Sequence, residues 1–321
     1  MFREERSQIV GQDRQVGGLP VNTDLLFADK KGNYSPRIES KRKKLLNKVG
    51  FLADFLDDGE QIVFITTGCS PASFFEQYTL GFLWVTIIKR ALFVFTNKRI
   101  FHIPTTSSYD YRGSVAQILY RDCYRLFAKG STLHAEYHTG TKDAFFGIPR
   151  GDGAIIRQIN IAAPEPAEPS PRPERSHLCP NCTHVQPAEP GTCPGCGQSF
   201  KTAAEARKYS LLFPGGGYFY VKRPLLGVLD AIGESYLGIM TLLGFVATVL
   251  GNVEAIGIVV MFSVILGLEK LMTIYHAKKF VAEFIPKAAS QPRARRQEPP
   301  EEPPAPPQQR KQSLEQVLSL R

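Results

Sequence analysis

Cys179-Pro180-Asn181-Cys182 and Cys193-Pro194-Gly195-Cys196 make two C-x-x-C knuckles with ten residues between them. That spacing brings four thiolates around one tetrahedral zinc ion, and Gly195 and Gly197 give the second knuckle the freedom a tight turn needs. Four sulfurs close the coordination shell, so the expected cofactor is a structural Zn2+ and His177 and His184 are left as loop residues. A redox dithiol would need a thioredoxin-like βαβ setting, which the flanking residues do not provide. A unit of about twenty residues has little core of its own, so metal binding would supply much of its folding free energy.

Other chemistry-bearing patterns are sparser. His134, Glu136 and His138 alternate along one expected strand and share a face, a geometry open to a divalent metal, although an exposed strand face is polar in any case. Asp230 and Glu234 stand at i and i+4 on one helix face, where they could line a cation or proton path or simply be neutralised at an interface. Cys69 and Cys123 have no base beside them and fit small core residues. No Ser-His-Asp order, Walker loop or dinucleotide fingerprint is present, so catalysis is not expected.

The 321 residues carry 39 Lys and Arg against 30 Asp and Glu, a formal net charge of +9 that favours anionic partners, phospholipid or nucleic acid. Lys41, Arg42, Lys43, Lys44 and Lys48 lie on an amphipathic helix that opens at Pro36 and carries Leu45, Val49, Leu52 and Leu56 at helical spacing. Against an anionic inner leaflet each such charge would add about 1 kcal/mol. Lys98 and Arg99, at a turn between apolar runs, are further candidate phosphate ligands, though a hairpin tip is polar on any account.

The two most apolar stretches, Tyr236 to Leu250 and Ala255 to Leu268, flank Gly251-Asn252-Val253-Glu254. Each is short of the roughly twenty residues a membrane span needs. Extension to helices of about 225–250 and 255–275 admits charges that an antiparallel hairpin would bring level, with Glu234 opposite Lys270 and Asp230 opposite Tyr275 or His276. Lys208, Lys222, Arg223, Lys278, Lys279 and Lys287 flank the open ends while the turn has no positive residue, so both termini are expected in the cytosol at the inner membrane. A soluble helical hairpin buried against another domain has the same pattern.

Short apolar or alternating runs at 61–66, 77–88, 91–96, 100–105, 115–120, 132–138 and 143–148 predict seven strands, and isoleucines at 155, 156, 159 and 161 predict a closing helix. This order, with Phe93-Val94-Phe95-Thr96-Asn97-Lys98-Arg99-Ile100-Phe101-His102-Ile103-Pro104, resembles the bacterial PH-like (pleckstrin-homology-like) and GRAM-like domains over residues 40–162. The resemblance implies a β-barrel or sandwich that binds lipid headgroups or proteins. The two knuckles resemble the short zinc ribbons of many bacterial proteins. The run Pro214-Gly215-Gly216-Gly217-Tyr218-Phe219-Tyr220 before the first apolar helix resembles the lead-in of small prokaryotic two-span membrane domains.

The expected organisation is multidomain: a flexible leader over 1–35, the PH-like domain with its basic helix over 36–163, a proline-rich linker over 164–176, the zinc ribbon over 177–202, the aromatic lead-in and transmembrane hairpin over 203–287, and a disordered tail over 288–321 ending in a short helix. The first residues lack the apolar core of a secretory signal. Together these features read as a membrane-anchored, non-catalytic adaptor that presents binding modules to anionic lipid and to a protein partner. A soluble zinc-ribbon regulator of nucleic acid and a component of a membrane ion or proton pathway stay open.

Overall fold

The computed structural model describes residues 14–29, 31–159, 170 and 173–288. Strands β1 (Arg14–Val16) and β2 (Leu19–Val21) form a hairpin through Gly17 and Gly18, both at positive φ. A four-residue helix α1 (Thr23–Leu26) and the basic helix α2 (Pro36–Lys48) follow. Residues 14–29 therefore depart from the expected leader. Leu19, Val21, Leu26 and Phe27 are buried with Leu45 and Leu46 of α2, because together they cover one face of the main sheet. Residues 1–13 of that leader lie outside the described residues.

The main sheet runs antiparallel through β3 (Ile62–Cys69), β4 (Arg90–Thr96), β5 (Arg99–Pro104) and β6 (Val115–Leu119), with β2 joining β3 in parallel at Val21 and Ile62. A second sheet holds β7 (Cys123–Lys129), β8 (Thr132–Tyr137) and β9 (Lys142–Phe145). Helix α5 (Arg150–Gln158) closes the layer between them: Ile155 and Ile156 share one buried cluster with Phe64, Phe93, Leu133 and Phe145. Seven strands thus span Ile62 to Phe145, but not the expected seven.

The run 77–88, expected as a strand, is helical: α3 (Phe74–Leu80) and α4 (Phe82–Ile88) protrude between β3 and β4. Ser73 supplies a capping box, its hydroxyl accepting from Glu76 N at 3.2 Å while Glu76 Oε2 accepts from Ser73 N at 2.8 Å. Gly81, at φ 77°, then breaks the run into two short helices. The strand that replaces it is β7, whose charged residues Arg125 and Lys129 hide its alternation.

Ser170 N donates to Asp122 Oδ1 at 2.9 Å, and residues 173–175 lead into β10 (Ser176–Leu178), which pairs with β6 as the far edge of the main sheet. Positions 164–169 and 171–172 of the expected linker, and 289–321 of the tail, lie outside the described residues. After the cysteine knuckles come α6 (Ala203–Leu212), α7 (Gly216–Tyr220) and two long antiparallel helices, α8 (Pro224–Val249) and α9 (Ala255–Val281). Both are long and apolar enough to cross a membrane, with mean hydropathy 1.5 and 2.0, and only 11% and 6% of their apolar windows are buried.

Candidate metal centre and membrane hairpin

Two tight turns build the candidate metal centre. Thr183 N donates to Cys179 O at 2.9 Å in the first knuckle and Gly197 N to Cys193 O at 2.9 Å in the second. Gly197 sits at φ 74°, the region glycine favours, and a Cβ on Gly195 would crowd Cys182 Sγ and His184 at 3.2 Å. The four Sγ atoms lie within 4.8 Å of one another. Cys179 and Cys196 are 3.6 Å apart and Cys182 and Cys193 3.5 Å, with no disulfide among them. Ligands at tetrahedral Zn–S distance are separated by roughly 3.8 Å, so four thiolates placed this way fit such an ion. Burial works against ionisation of Cys193, and the Gln186 amide with the N–H groups of Cys196 and Gly195 outweighs it, bringing the thiol down to about 6. Among the described residues no other group of three metal-ligating side chains converges. His134 instead stacks on Phe127, and Glu136 accepts from Lys142 at 2.9 Å.

The ribbon is docked rather than free. Phe200 is buried with Cys179, Cys193 and Phe284, His177 stacks on Phe284 with centroids 4.4 Å apart, and Lys201 N donates to Ile285 O at 2.9 Å. Through β10 it holds the sheet edge, and through Phe284 to Pro286 it holds the end of α9.

In the helical hairpin Lys270 Nζ donates to Glu234 Oε2 at 2.6 Å and to Ser210 O at 2.8 Å, and Thr273 Oγ1 donates to Asp230 at 3.0 and 3.1 Å. Asp230 thus meets Thr273, not Tyr275 or His276. The same Glu234 oxygen accepts from Gly215 N at 3.1 Å, which ties the glycine run to the hairpin. A Cβ on Gly215, Gly216 or Gly217 would sit 2.0 Å from Gly227 O, 2.2 Å from Tyr209 O or 2.1 Å from Ser210 Oγ. The three glycines let α7 nest among α6, α8 and α9, a requirement that no local sequence signal announced.

The expected anion ligands scatter. Lys41, Lys43 and Lys44 are exposed, Lys43 pairing with Glu39 at 2.7 Å. Lys48 pairs with Asp110 at 2.7 Å, and Arg42 is buried against Leu26 O, Ala28 O and Asp152. Arg99 is buried too, its guanidinium spent on Glu60, Gln117 and Phe55 O, while Lys98 reaches Asp58 O at 3.0 Å. The Lys98–Arg99 turn lies at the opposite end of β4 and β5 from the hairpin, which contacts Ser114 through Glu283 and Arg112 through Lys222.

Burial pushes the Cys69 thiol up to about 11, and burial with Asp122 and Asp143 pushes Cys123 up to about 12, so neither is a thiolate at neutral pH. A cavity of about 420 Å³ beneath α3 gathers Lys89, Lys142, Arg175 and Lys279, but the first three already pair with Glu76, Glu136 and Asp143. The exposed aromatic face of α3 and α4 is the feature that sequence reasoning missed, although the charge-free run after Glu76 marked it. Comparison of the chain with protein-family models, with curated proteins and with solved structures finds no match.

Proposed function

We propose that this protein is a non-catalytic adaptor anchored in the inner membrane by the α8–α9 hairpin, with both termini in the cytosol. The carrying observation is the exposure of two long apolar helices whose outer faces, from Leu225 to Leu250 and from Ile256 to Leu271, no part of the described chain covers. A core helix in a soluble protein would be covered, and this much bare apolar surface is stable in lipid. Charges gather at the end where the globular part packs: Arg223, Lys278 and Lys279 lie there, and the Gly251–Glu254 tip has no cation. That asymmetry favours a cytosolic globular part.

Four antiparallel strands, a second sheet of three and a closing helix support the PH-like reading of β3 to α5. The exposed Lys41, Lys43 and Lys44 suit an anionic leaflet, and the remaining domain surface is left for an unidentified protein partner. Cys179, Cys182, Cys193 and Cys196 would hold a structural Zn2+, which supplies cross-linking and no chemistry, since four thiolates leave no open position. Its role is mechanical: it ties the sheet edge to the end of α9, so that the domain is carried at a fixed place on its anchor. The salt-sensitive nucleic-acid reading has weaker support, because Arg293, Arg295 and Arg296, on which it rests with the net charge and the knuckles, lie outside the described residues.

Membranes from cells making the full chain are washed with high salt and then with carbonate, alongside a variant lacking residues 225–275. Retention of the full chain through both washes, with release of the variant, is the expected result. A full chain that washes off removes the anchor.

A further inference from the structure

Helices α3 and α4 are built inside out. Between Phe74 and Ile88 the single charged residue is Glu76, and it is buried on Lys89, Nζ to Oε1 2.8 Å, with both side chains at most 5% exposed. The outer surface is apolar instead: Phe74 is 83% exposed, Tyr78 79%, Leu83 76% and Phe82 62%, with Phe75, Trp84 and Ile87 also exposed. A water-facing helix pair has the reverse arrangement, and so large a bare patch at a domain's edge needs a non-aqueous neighbour.

The position of this pair says which neighbour. Ser73 Oγ lies 3.1 Å from Tyr275 OH, Thr79 Oγ1 lies 2.9 Å from His276 Nε2, and the Phe75 ring meets Tyr275 edge-on at 5.2 Å. On the inner side Ile88 belongs to one buried cluster with Ala277, Phe280 and Val281. All of these contacts fall within the last two turns of α9, Tyr275 to Val281. Counted from Ala255, the roughly twenty residues that cross a hydrocarbon core end at Ile274, and Lys278 and Lys279 follow within the next turn. The pair is therefore pinned where acyl chains give way to headgroups, the depth that Trp, Tyr and Phe favour. Leu211, Leu212 and Phe213, which follow Ser210 where its carbonyl accepts from Lys270 of α9, are exposed as well.

We propose that α3 and α4 form an interfacial dip, seating Phe74, Tyr78, Phe82, Leu83 and Trp84 among the acyl chains of the leaflet beside the α8–α9 anchor. This rests on the membrane reading of that hairpin. The dip is a second attachment made by the β domain itself, at the β3–β4 connection, so the domain meets the bilayer directly as well as through its anchor. Its ligand is the lipid surface, bound through apolar burial and without headgroup selectivity.

Trp84 is the chain's single tryptophan and reports directly. Full-length protein is reconstituted in phosphatidylcholine–phosphatidylglycerol vesicles with acyl chains brominated near the headgroup end or not brominated. Floated vesicles are read for Trp84 emission with and without iodide on both sides of the bilayer, and a parallel sample is washed with carbonate. Emission is expected to fall several-fold in brominated vesicles and to respond little to iodide. A Trp84→Phe, Phe82→Trp variant, which keeps the aromatic face, moves the reporter and should behave alike. Carbonate-resistant protein whose reporters are quenched by iodide and not by bromine overturns the dip while leaving the anchor. Reporters shielded from both quenchers overturn it as well, since a protein or a second copy then covers the face. Quenching by bromine in protein that carbonate releases supports the dip and removes the spanning hairpin, and protein that never floats overturns both.

Discussion

Glu60 and Arg99 form the buried pair beneath the β4–β5 turn. Glu60 Oε2 accepts from Arg99 Nη2 at 2.6 Å, Glu60 Oε1 from Arg99 Nε at 3.0 Å and Thr96 Oγ1 at 2.6 Å, and Asp57 N adds a fourth donor at 3.0 Å. Burial disfavours the Glu60 carboxylate, but the Arg99 guanidinium, the Asp57 N–H and the Thr96 hydroxyl overcome it and hold its pKa below the ordinary carboxylate value. A lowered pKa contributes stability that is present above the unfolded value, about 4.3, and is lost as pH falls through the folded one. Thermal unfolding of the solubilised full chain should therefore shift to lower temperature below about pH 4. Glu60→Gln should flatten that acid limb and cost about 1.5–3 kcal/mol at neutral pH, since Arg99 loses its buried carboxylate but keeps Asp57 at 3.2 Å and Gln117 at 2.6 Å. An unchanged acid limb in the variant would place its origin elsewhere. Arg99 also marks a limit of sequence reading: residue type and turn position advertise an anion ligand, and only the fold reveals that its partner lies inside.

Among the elements, α7 depends most on single atoms. Gly216→Ala drives a Cβ to within 2.2 Å of Tyr209 O, a backbone atom of α6 that cannot rotate away, and should cost roughly 3 kcal/mol. Gly238→Ala, in the middle of α8 with no atom within 4 Å of the new Cβ, should instead gain about 0.5–1 kcal/mol. Melting of the two variants in one detergent checks the pair, and equal shifts would deny that the glycine run is a close-packing device. Elements encoded by neighbours in the chain were legible beforehand. The knuckles, the Thr96 to Arg99 turn and the level placing of Glu234 with Lys270 each follow from spacing of a few residues or from one symmetric turn. What escaped was set at a distance. A short apolar run such as 77–88 fits helix or strand equally until its neighbours are known, and Ser73 with Glu76 held the deciding cap. The packing of residues 14–29 depends on a sheet face made far downstream.

At the scale of the whole molecule, the cysteine knuckles bridge the edge of the main sheet and the residues that follow α9. Structural zinc supplies on the order of 10 kcal/mol to units of this kind. Chelation should accordingly raise hydrogen exchange in residues 176–201, along Val115–Leu119 where β10 is paired, and at 284–286, while β7 to β9 keep their protection. Exchange that chelation leaves unchanged would deny that a metal ion holds these residues together. The closure at Phe284 carries a further consequence, in the order of synthesis. The knuckles emerge from the ribosome before α8 and α9, yet Phe284, Ile285 and Pro286, which complete the ribbon's core and its outer edge, emerge after both. A nascent ribbon can gather its four sulfurs early but stays uncapped until the whole hairpin has left the tunnel. Maturation of the globular half is thereby timed by delivery of the apolar half, and a chain stalled within α9 would present an open cysteine knob as the mark of its incompleteness.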